Sequence, residues 1–123
     1  MAAKLPSIDM STRSSANGTI VDVNGDITLR TTPDVRKLLL DLFREKQAMR
    51  VIVNLTNVRY IDSAGVASLV EALRISRDME ASFALFALSR AARQVLELTR
   101  LTKVFEIYET EEEAVRGTST SAS

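Results

Sequence analysis

The chain has no cysteine and no histidine among its 123 residues, and each absence closes off a class of chemistry. Without thiols there is no disulfide framework and no thiolate nucleophile. Without imidazole there is no Ser-His-Asp triad and no thiolate–imidazole zinc site. The four glycines, Gly18, Gly25, Gly65 and Gly117, lie too far apart to form a P-loop or a dinucleotide fingerprint. Sixteen basic residues balance sixteen acidic ones, which leaves no sequence-blind hold on nucleic acid or anionic lipid. The arginines are scattered, with no basic tract interleaved with aromatics. No apolar run approaches the ~20 residues that span a bilayer, and the first residues lack the apolar centre of a secretion signal. The expectation is a cytoplasmic protein without membrane insertion and without direct nucleic-acid binding. Carboxylate metal sites stay formally open, but no cofactor is expected, and an enzyme would have to work with carboxylates alone. No enzymatic activity is expected.

What is present is the composition of an ordinary globular domain, 46% apolar, 26% charged and 5% aromatic. A single domain of this length buries roughly two-thirds of the surface its unfolded chain exposes. Ile8 and Met10 open a weak alternating pattern, Thr19 to Asp26 carries a better one, and Asn17-Gly18 between them signals a hairpin. Thr32-Pro33-Asp34 reads as a helix start, with Thr32 as cap, Pro33 in the first helical position and Asp34 complementing the dipole. Val35, Leu38, Leu39, Leu42 and Phe43 then recur at helical spacing. Residues 51–55 are too uniformly apolar to be half exposed, so this strand is expected at the centre of a sheet.

Farther on, Val66, Leu69, Val70 and Leu73 predict a helix from Ser63 to about Met79. Phe83 to Leu88 reads as a short strand. Ser89 caps a helix whose Val95, Leu98 and Leu101 are expected to point inward, and Phe105 to Tyr108 reads as an edge strand. Thr110 with Glu113 forms a capping box, and the run Glu111 to Glu113 reads as a charged first turn and nothing more. The order is β β α β α β α β α, which calls for right-handed crossovers onto a mostly parallel sheet. Residues 1–7 are expected to be flexible, 8–116 to form the domain, and 117–123 to be a disordered tail.

The stretch from Val51 to Val66 points most directly to function. An apolar strand ends in a short polar loop, and the loop delivers the Ser63 hydroxyl to the first turn of an amphipathic helix. There it sits beside unpaired backbone N–H groups and the positive end of the helix dipole, where a phosphate would meet favourable electrostatics. Read from the residues alone, Ser63 is equally well a helix cap. Asp62 is equally a turn residue bonding locally or a recognition residue. Gly65 reads as a point of close approach to a neighbouring strand, and Asp26 after Gly25 as a solvated turn residue.

Two motifs resemble the STAS domain family, and within it the bacterial anti-sigma factor antagonists. One is Val23-Asn24-Gly25-Asp26-Ile27 followed by Thr31-Thr32-Pro33 and Val35-Arg36. The other is Tyr60-Ile61-Asp62-Ser63-Ala64-Gly65-Val66, similar to the family's phosphorylation loop. The run from Leu88-Ser89 to Arg93, with Val95 to Thr99 and Phe105 to Tyr108, also looks like the family's closing helix and strand. The resemblance covers about residues 8 to 116. It implies an α/β fold with a mixed sheet of about four or five strands and helices packed mainly on one face.

The resemblance also implies a regulatory switch. The unmodified antagonist binds an anti-sigma factor that is itself a serine kinase, which frees the sigma factor. Phosphorylation of the loop serine, here Ser63, ends the binding, and a serine phosphatase reverses it. The expected contact surface comprises the turn at Gly25 to Leu29 with Asp26 and Thr28, the loop Asp62, Ser63, Ala64 and Gly65, and the exposed side of the next helix with Ser68 and Glu71. The chain departs from the pattern at Ala64, where the family often has a second hydroxyl, at Ala67, where a glycine is common, and at Asn54, where an acidic residue is usual. The alternative within the same fold is an accessory subunit of an ABC-type lipid transporter docking on its ATPase. Loops of that branch can also read like Asp-Ser-Ala-Gly, and Ser63 would then be an interface residue without a phosphorylation cycle.

Overall fold

A two-residue turn at Ala16–Asn17 starts the sheet, joining β1 (Asp9–Ser15) to β2 (Gly18–Asn24) with Ser15 opposite Gly18. The structure, a computed structural model, describes residues 8–117. The expected flexible segment 1–7 and residues 118–123 of the expected tail lie outside the described residues, whereas Gly117, also placed in that tail, ends the last helix with a φ of 77° and donates its N–H to the Glu113 carbonyl. The remaining elements are α1 (Thr32–Arg44), β3 (Arg50–Asn57), α2 (Ser63–Asp78), β4 (Ser82–Phe86), α3 (Arg90–Leu98), β5 (Glu106–Tyr108) and α4 (Glu111–Arg116). The five strands lie side by side in chain order, the β1–β2 pair antiparallel and the rest parallel. β3 is the middle strand, as its largely apolar run 51–55 requires.

Strand alternation divides the core into two unequal parts. Val21, Val23, Val51, Val53, Leu55, Phe83 and Leu85 meet the apolar stripes of α1, α2 and α3 in the larger cluster. The Phe83 ring stands edge-on to Phe43 with centroids 6.2 Å apart and lies 6.4 Å from Phe105. The opposite face carries Ile20, Ile52, Ala84 and Phe86, packed against Ala114 of α4. Three helices therefore cover one face, and a six-residue helix covers part of the other.

Several local expectations shift. The residue before α1 is Thr31, not Thr32, so Pro33 occupies the second helical position. Strand β4 stops at Phe86 because Ala87 takes a φ of 63°. Leu98 does not point inward. It is 84% exposed, whereas Leu96 is fully buried. Spacing through Leu101 assumed a continuing helix, but α3 ends at Leu98 and Arg100 turns the chain with a φ of 60°. The buried pair is then Ala92 and Leu96, four residues apart on one face. The run Glu111 to Glu113 is also more than a charged first turn. Glu111 receives Arg13 at 2.8 Å, while Glu113 is buried, donates its amide to the Thr110 hydroxyl and accepts the Glu109 N–H at 3.1 Å.

On the α4 side of the sheet, polar groups replace the apolar stripe toward the carboxyl ends of the strands. Arg13 bonds Asp22 at 2.6 Å, and the Asn54 amide donates to Asp22 at 2.8 Å. A carboxylate at position 54 would be repelled by Asp22, which explains why this chain carries the neutral amide there. Hydrogen bonding to Arg13 holds the Asp22 carboxyl below the usual carboxylate range, and Arg36 does the same for Glu71.

A carboxyl group depressed on folding contributes stability above its unfolded value of about 4 and loses that contribution as pH falls through its lower folded value. Arg13→Gln is expected to lower stability modestly at neutral pH, with variant and wild type converging in acid, as urea titrations across pH will show. For the register of α3, Leu96→Ala is expected to cost about 2–5 kcal/mol. Leu98→Ala should stay within about 0.5 kcal/mol when both are measured by equilibrium unfolding.

Candidate functional site

Three loops meet at the carboxyl ends of β2, β3 and β4. The loop after β2 bends at Gly25, whose φ of 125° few other residues tolerate. It then runs alongside the loop after β3: Gly25 N–H donates to the Asn57 carbonyl, Ile27 N–H to Tyr60 at 3.1 Å, and Asp62 N–H to Ile27 at 3.2 Å. Ile27 and Ile61 form an isolated parallel bridge, and both side chains are fully buried. Thr31 locks the first loop from within. Its hydroxyl accepts the Thr28 N–H at 2.9 Å and donates to the Asp26 carbonyl at 2.8 Å. Asp26 in turn accepts the Tyr60 N–H through its carboxylate at 3.2 Å.

Asp62 joins both loops to α2. One carboxylate oxygen accepts the Gly65 N–H at 2.8 Å and the other the Leu29 N–H at 3.0 Å. Asp62 is therefore the cap of α2, and the reading of Ser63 as a cap gives way. A carboxylate one residue before the helix reaches the amide of the third helical residue, which is standard cap geometry. Ser63 becomes the first residue of α2 and is exposed, and among the described residues its hydroxyl has no hydrogen-bond partner.

Gly65 is dictated by proximity. A Cβ there would lie 2.3 Å from the Ile27 carbonyl oxygen and 2.7 Å from Ile61 Cγ2. Only a bare Cα lets the first turn of α2 rest on the bridge. The structure thus brings Asp26, Thr28, Asp62, Ser63, Ala64 and Gly65 to one end of the domain. It does not bring Ser68 to the surface as expected. Ser68 is 5% exposed and donates its hydroxyl to the Gly65 carbonyl at 2.7 Å. The helical phase from Val66 and Leu69 carries residue 68 inward and turns Ala67 outward instead. Glu71 lies two turns along α2, part exposed and paired with Arg36 of α1 at 2.7 Å.

The sequence reading placed Leu29 in the contact turn and Ser89 at the start of α3, but it missed the parts played by Thr31 and Tyr60 and the second bond of Ser89. Thr31 is buried and Ser89 does double duty, accepting the Ala92 N–H and donating to the Arg59 carbonyl at 2.8 Å, so that it ties the third loop to the second. Leu29 and Tyr60 stand at the surface, 72% and 47% exposed. An apolar residue within a polar turn was the available signal for both. A shallow groove of about 660 Å³ runs from Ser63 along α2, lined by Val66, Ala67, Val70, Arg74 and Leu101. Among the described residues no group of three acidic side chains is placed to hold a metal ion, and no helix is long and apolar enough to cross a membrane.

Three substitutions separate these roles in equilibrium unfolding. Asp62→Ala is expected to cost about 1–2 kcal/mol through the lost cap. Gly65→Ala should cost about 1–3 kcal/mol from overpacking, outweighing the ~1 kcal/mol that alanine gains in helix propensity. Ser63→Ala should change stability by under about 0.5 kcal/mol, because the exposed hydroxyl supports nothing.

The sequence matches the family model of the STAS domain over residues 7–114. No curated protein sequence matches the chain significantly. Among solved structures it resembles an anti-sigma-factor antagonist (STAS) domain protein from Planctomyces limnophilus, with a TM-score of 0.79, 20% identity, and coverage of 88% of this chain and 96% of that one. An anti-sigma factor antagonist from Mycobacterium paratuberculosis gives a TM-score of 0.78 at 23% identity, covering 89% and 94%. The Bacillus cell fate determinant SpoIIAA in its phosphorylated form gives 0.68 at 17% identity, covering 89% and 98%. At these identities the likeness is one of fold, and it agrees with the family match: the chain belongs to the STAS domain family.

Proposed function

We propose that this protein is an anti-sigma factor antagonist whose unmodified form binds an anti-sigma factor with serine kinase activity, and that phosphorylation of Ser63 ends the binding. The observation that carries the reading is the division of labour at the start of α2. Asp62 supplies the cap, so the neighbouring Ser63 hydroxyl is exposed and uncommitted at a helix N-terminus. A hydroxyl without a structural task can be modified without dismantling the turn. That several structural neighbours are anti-sigma factor antagonists, one of them solved in a phosphorylated form, supports the same reading.

Phosphorylation adds about −1.5 to −2 charges and three strong acceptor oxygens. The amides of the first turn of α2 lack intrahelical partners and the dipole favours an anion there, so the modified domain keeps its fold. The surface does not keep its character. A doubly charged group would stand beside the Asp62 carboxylate on a face that otherwise offers Leu29 and Tyr60 to a partner, and closing an interface over it would strip its water. Binding is lost while folding persists. The proposed role is one of binding, with turnover belonging to the partner kinase and to a serine phosphatase that resets Ser63.

The test is affinity capture from the source organism's lysate with ADP present, using wild type, Ser63→Ala and Ser63→Asp as baits, followed by phosphorylation of each with the captured fraction and ATP. Wild type and Ser63→Ala are expected to retain a small serine kinase, Ser63→Asp to retain less, and only wild type to gain a phosphate, located at residue 63. Capture of an ABC-type ATPase by all three baits, with no phosphate transferred, would instead make this a transporter subunit.

A further inference from the structure

We propose that Arg30, Arg59 and Arg90 form a basic rim around Leu29 and Tyr60, and that this rim docks an acidic segment of the protein partner. The proposal deepens the reading above by naming the chemistry of the partner's contact surface.

The three arginines are far apart in sequence but converge in the fold. Arg30 follows Leu29, whose N–H is bound by the Asp62 carboxylate. Arg59 offers its carbonyl to the Ser89 hydroxyl, and Arg90 follows Ser89. Each side chain thus starts within one residue of a hydrogen bond that ties the three strand-end loops into one surface. All three are exposed, and among the described residues none of their guanidinium groups has a hydrogen-bond or ion-pair partner. Three other arginines are paired, Arg13 with Asp22 and Glu111, Arg36 with Glu71 and Arg50 with Glu106; what sets Arg30, Arg59 and Arg90 apart is their placement on the three joined loops.

Charge counting alone does not decide the character of this end, because Asp26, Asp62 and Asp34 are also there. Accessibility does. Asp26 and Asp62 are half-buried and their carboxylates accept the backbone amides of Tyr60, Gly65 and Leu29. Asp34, on the first turn of α1, is exposed and is the one of these carboxylates that accepts no backbone amide among the described residues, set against three exposed guanidinium groups. The outward-facing groups at the centre of the surface are guanidinium donors beside two exposed apolar side chains. A guanidinium seeks a planar, bidentate acceptor, and a carboxylate supplies one. A segment alternating acidic and apolar residues would satisfy both halves of the surface. Nucleic acid is the poorer fit: three cations give a small counterion-release gain, and Leu29 has no base edge or phosphate to meet.

The rim also gives the Ser63 switch a second mode of action. A phosphate on Ser63 would offer acceptor oxygens from within the molecule at the edge of the rim, competing with the partner's carboxylates for the same donors. Modification would then remove attraction as well as add repulsion.

The test uses the full chain and a fluorescein-labelled peptide of glutamate and leucine, with a lysine–leucine peptide of equal length and a DNA duplex as comparators. Affinity is read by fluorescence anisotropy and location by amide chemical shifts. The glutamate–leucine peptide is expected to shift amides in residues 25–31, 58–65 and 87–92. Its affinity should fall about tenfold in the triple variant Arg30→Gln, Arg59→Gln, Arg90→Gln and fall steeply with salt. The triple variant Arg77→Gln, Arg100→Gln, Arg116→Gln, which removes equal charge from exposed positions at the opposite end of the domain, should bind as wild type. No binding, equal binding by the rim variant, shifts confined to other regions, or rim-dependent binding of the duplex in preference to the peptide would each overturn the proposal. The peptide assay needs no kinase. Rim-dependent peptide binding without phosphate transfer to Ser63 would sink the switch and leave the rim standing, and an intact switch in the rim variant would do the reverse.

Discussion

One carboxylate holds the functional end of this domain together. Asp62 accepts amide protons from Leu29 and Gly65, two residues on different loops, and in doing so caps α2 and fixes the approach of the β2–α1 loop. The arrangement works only because the backbone beneath it is pinned. The Ile27–Ile61 bridge supplies that support, and the bare Cα of Gly65 lets the helix settle onto it. Ser63 is excused from this structural work by its neighbour, and its hydroxyl stays exposed and uncommitted.

The two sheet faces are specialised in a related way. The face under α1, α2 and α3 is closed by a continuous apolar cluster, so the helix that carries Ser63 rests on a rigid base. The other face has a small apolar centre beneath α4 and a polar network of Arg13, Asp22 and Asn54 beyond it. Arg50 ties that side together, reaching Ser82, Glu106 and the Ala114 carbonyl from the amino-terminal end of β3. The ion pairs of Arg13 and Arg50 thereby lie on the α4 side of the sheet, while the Arg36–Glu71 pair bridges α1 and α2.

Much of this was legible in the sequence. The apolar run 51–55 marked the central strand, Asn17-Gly18 the hairpin, and Thr110 with Glu113 the last cap, because each depends on neighbours in the chain. The loop around Ser63 was legible for the same reason. What failed depended on contacts between distant residues. Leu98 and Ser68 were assigned to the wrong faces: α3 ends at Leu98 instead of running on through Leu101, so Ala92 and Leu96 set its inward face, and in α2 the phase of Val66 and Leu69 carries residue 68 inward. The exchange of capping duty from Ser63 to Asp62 turns on which side chain reaches the Gly65 amide, and both residues are good caps by type. The second bond of Ser89 could not be foreseen, because Arg59 is thirty residues away in the chain.

The order of the strands in space repeats their order in the chain. Every new strand therefore joins the edge of a sheet that already exists, and no late segment has to thread between earlier ones. Such local pairing lowers the loop-closure entropy that slows most parallel sheets. It also sets a sequence of maturation. The bridge between residues 27 and 61 and the Asp62 clasp are completed by the first three strands and α2, while the tie from Ser89 arrives only with the fourth strand. The serine-bearing turn can thus be formed before the loop that steadies its far side, and the sheet ends on β5, an edge strand of only three residues.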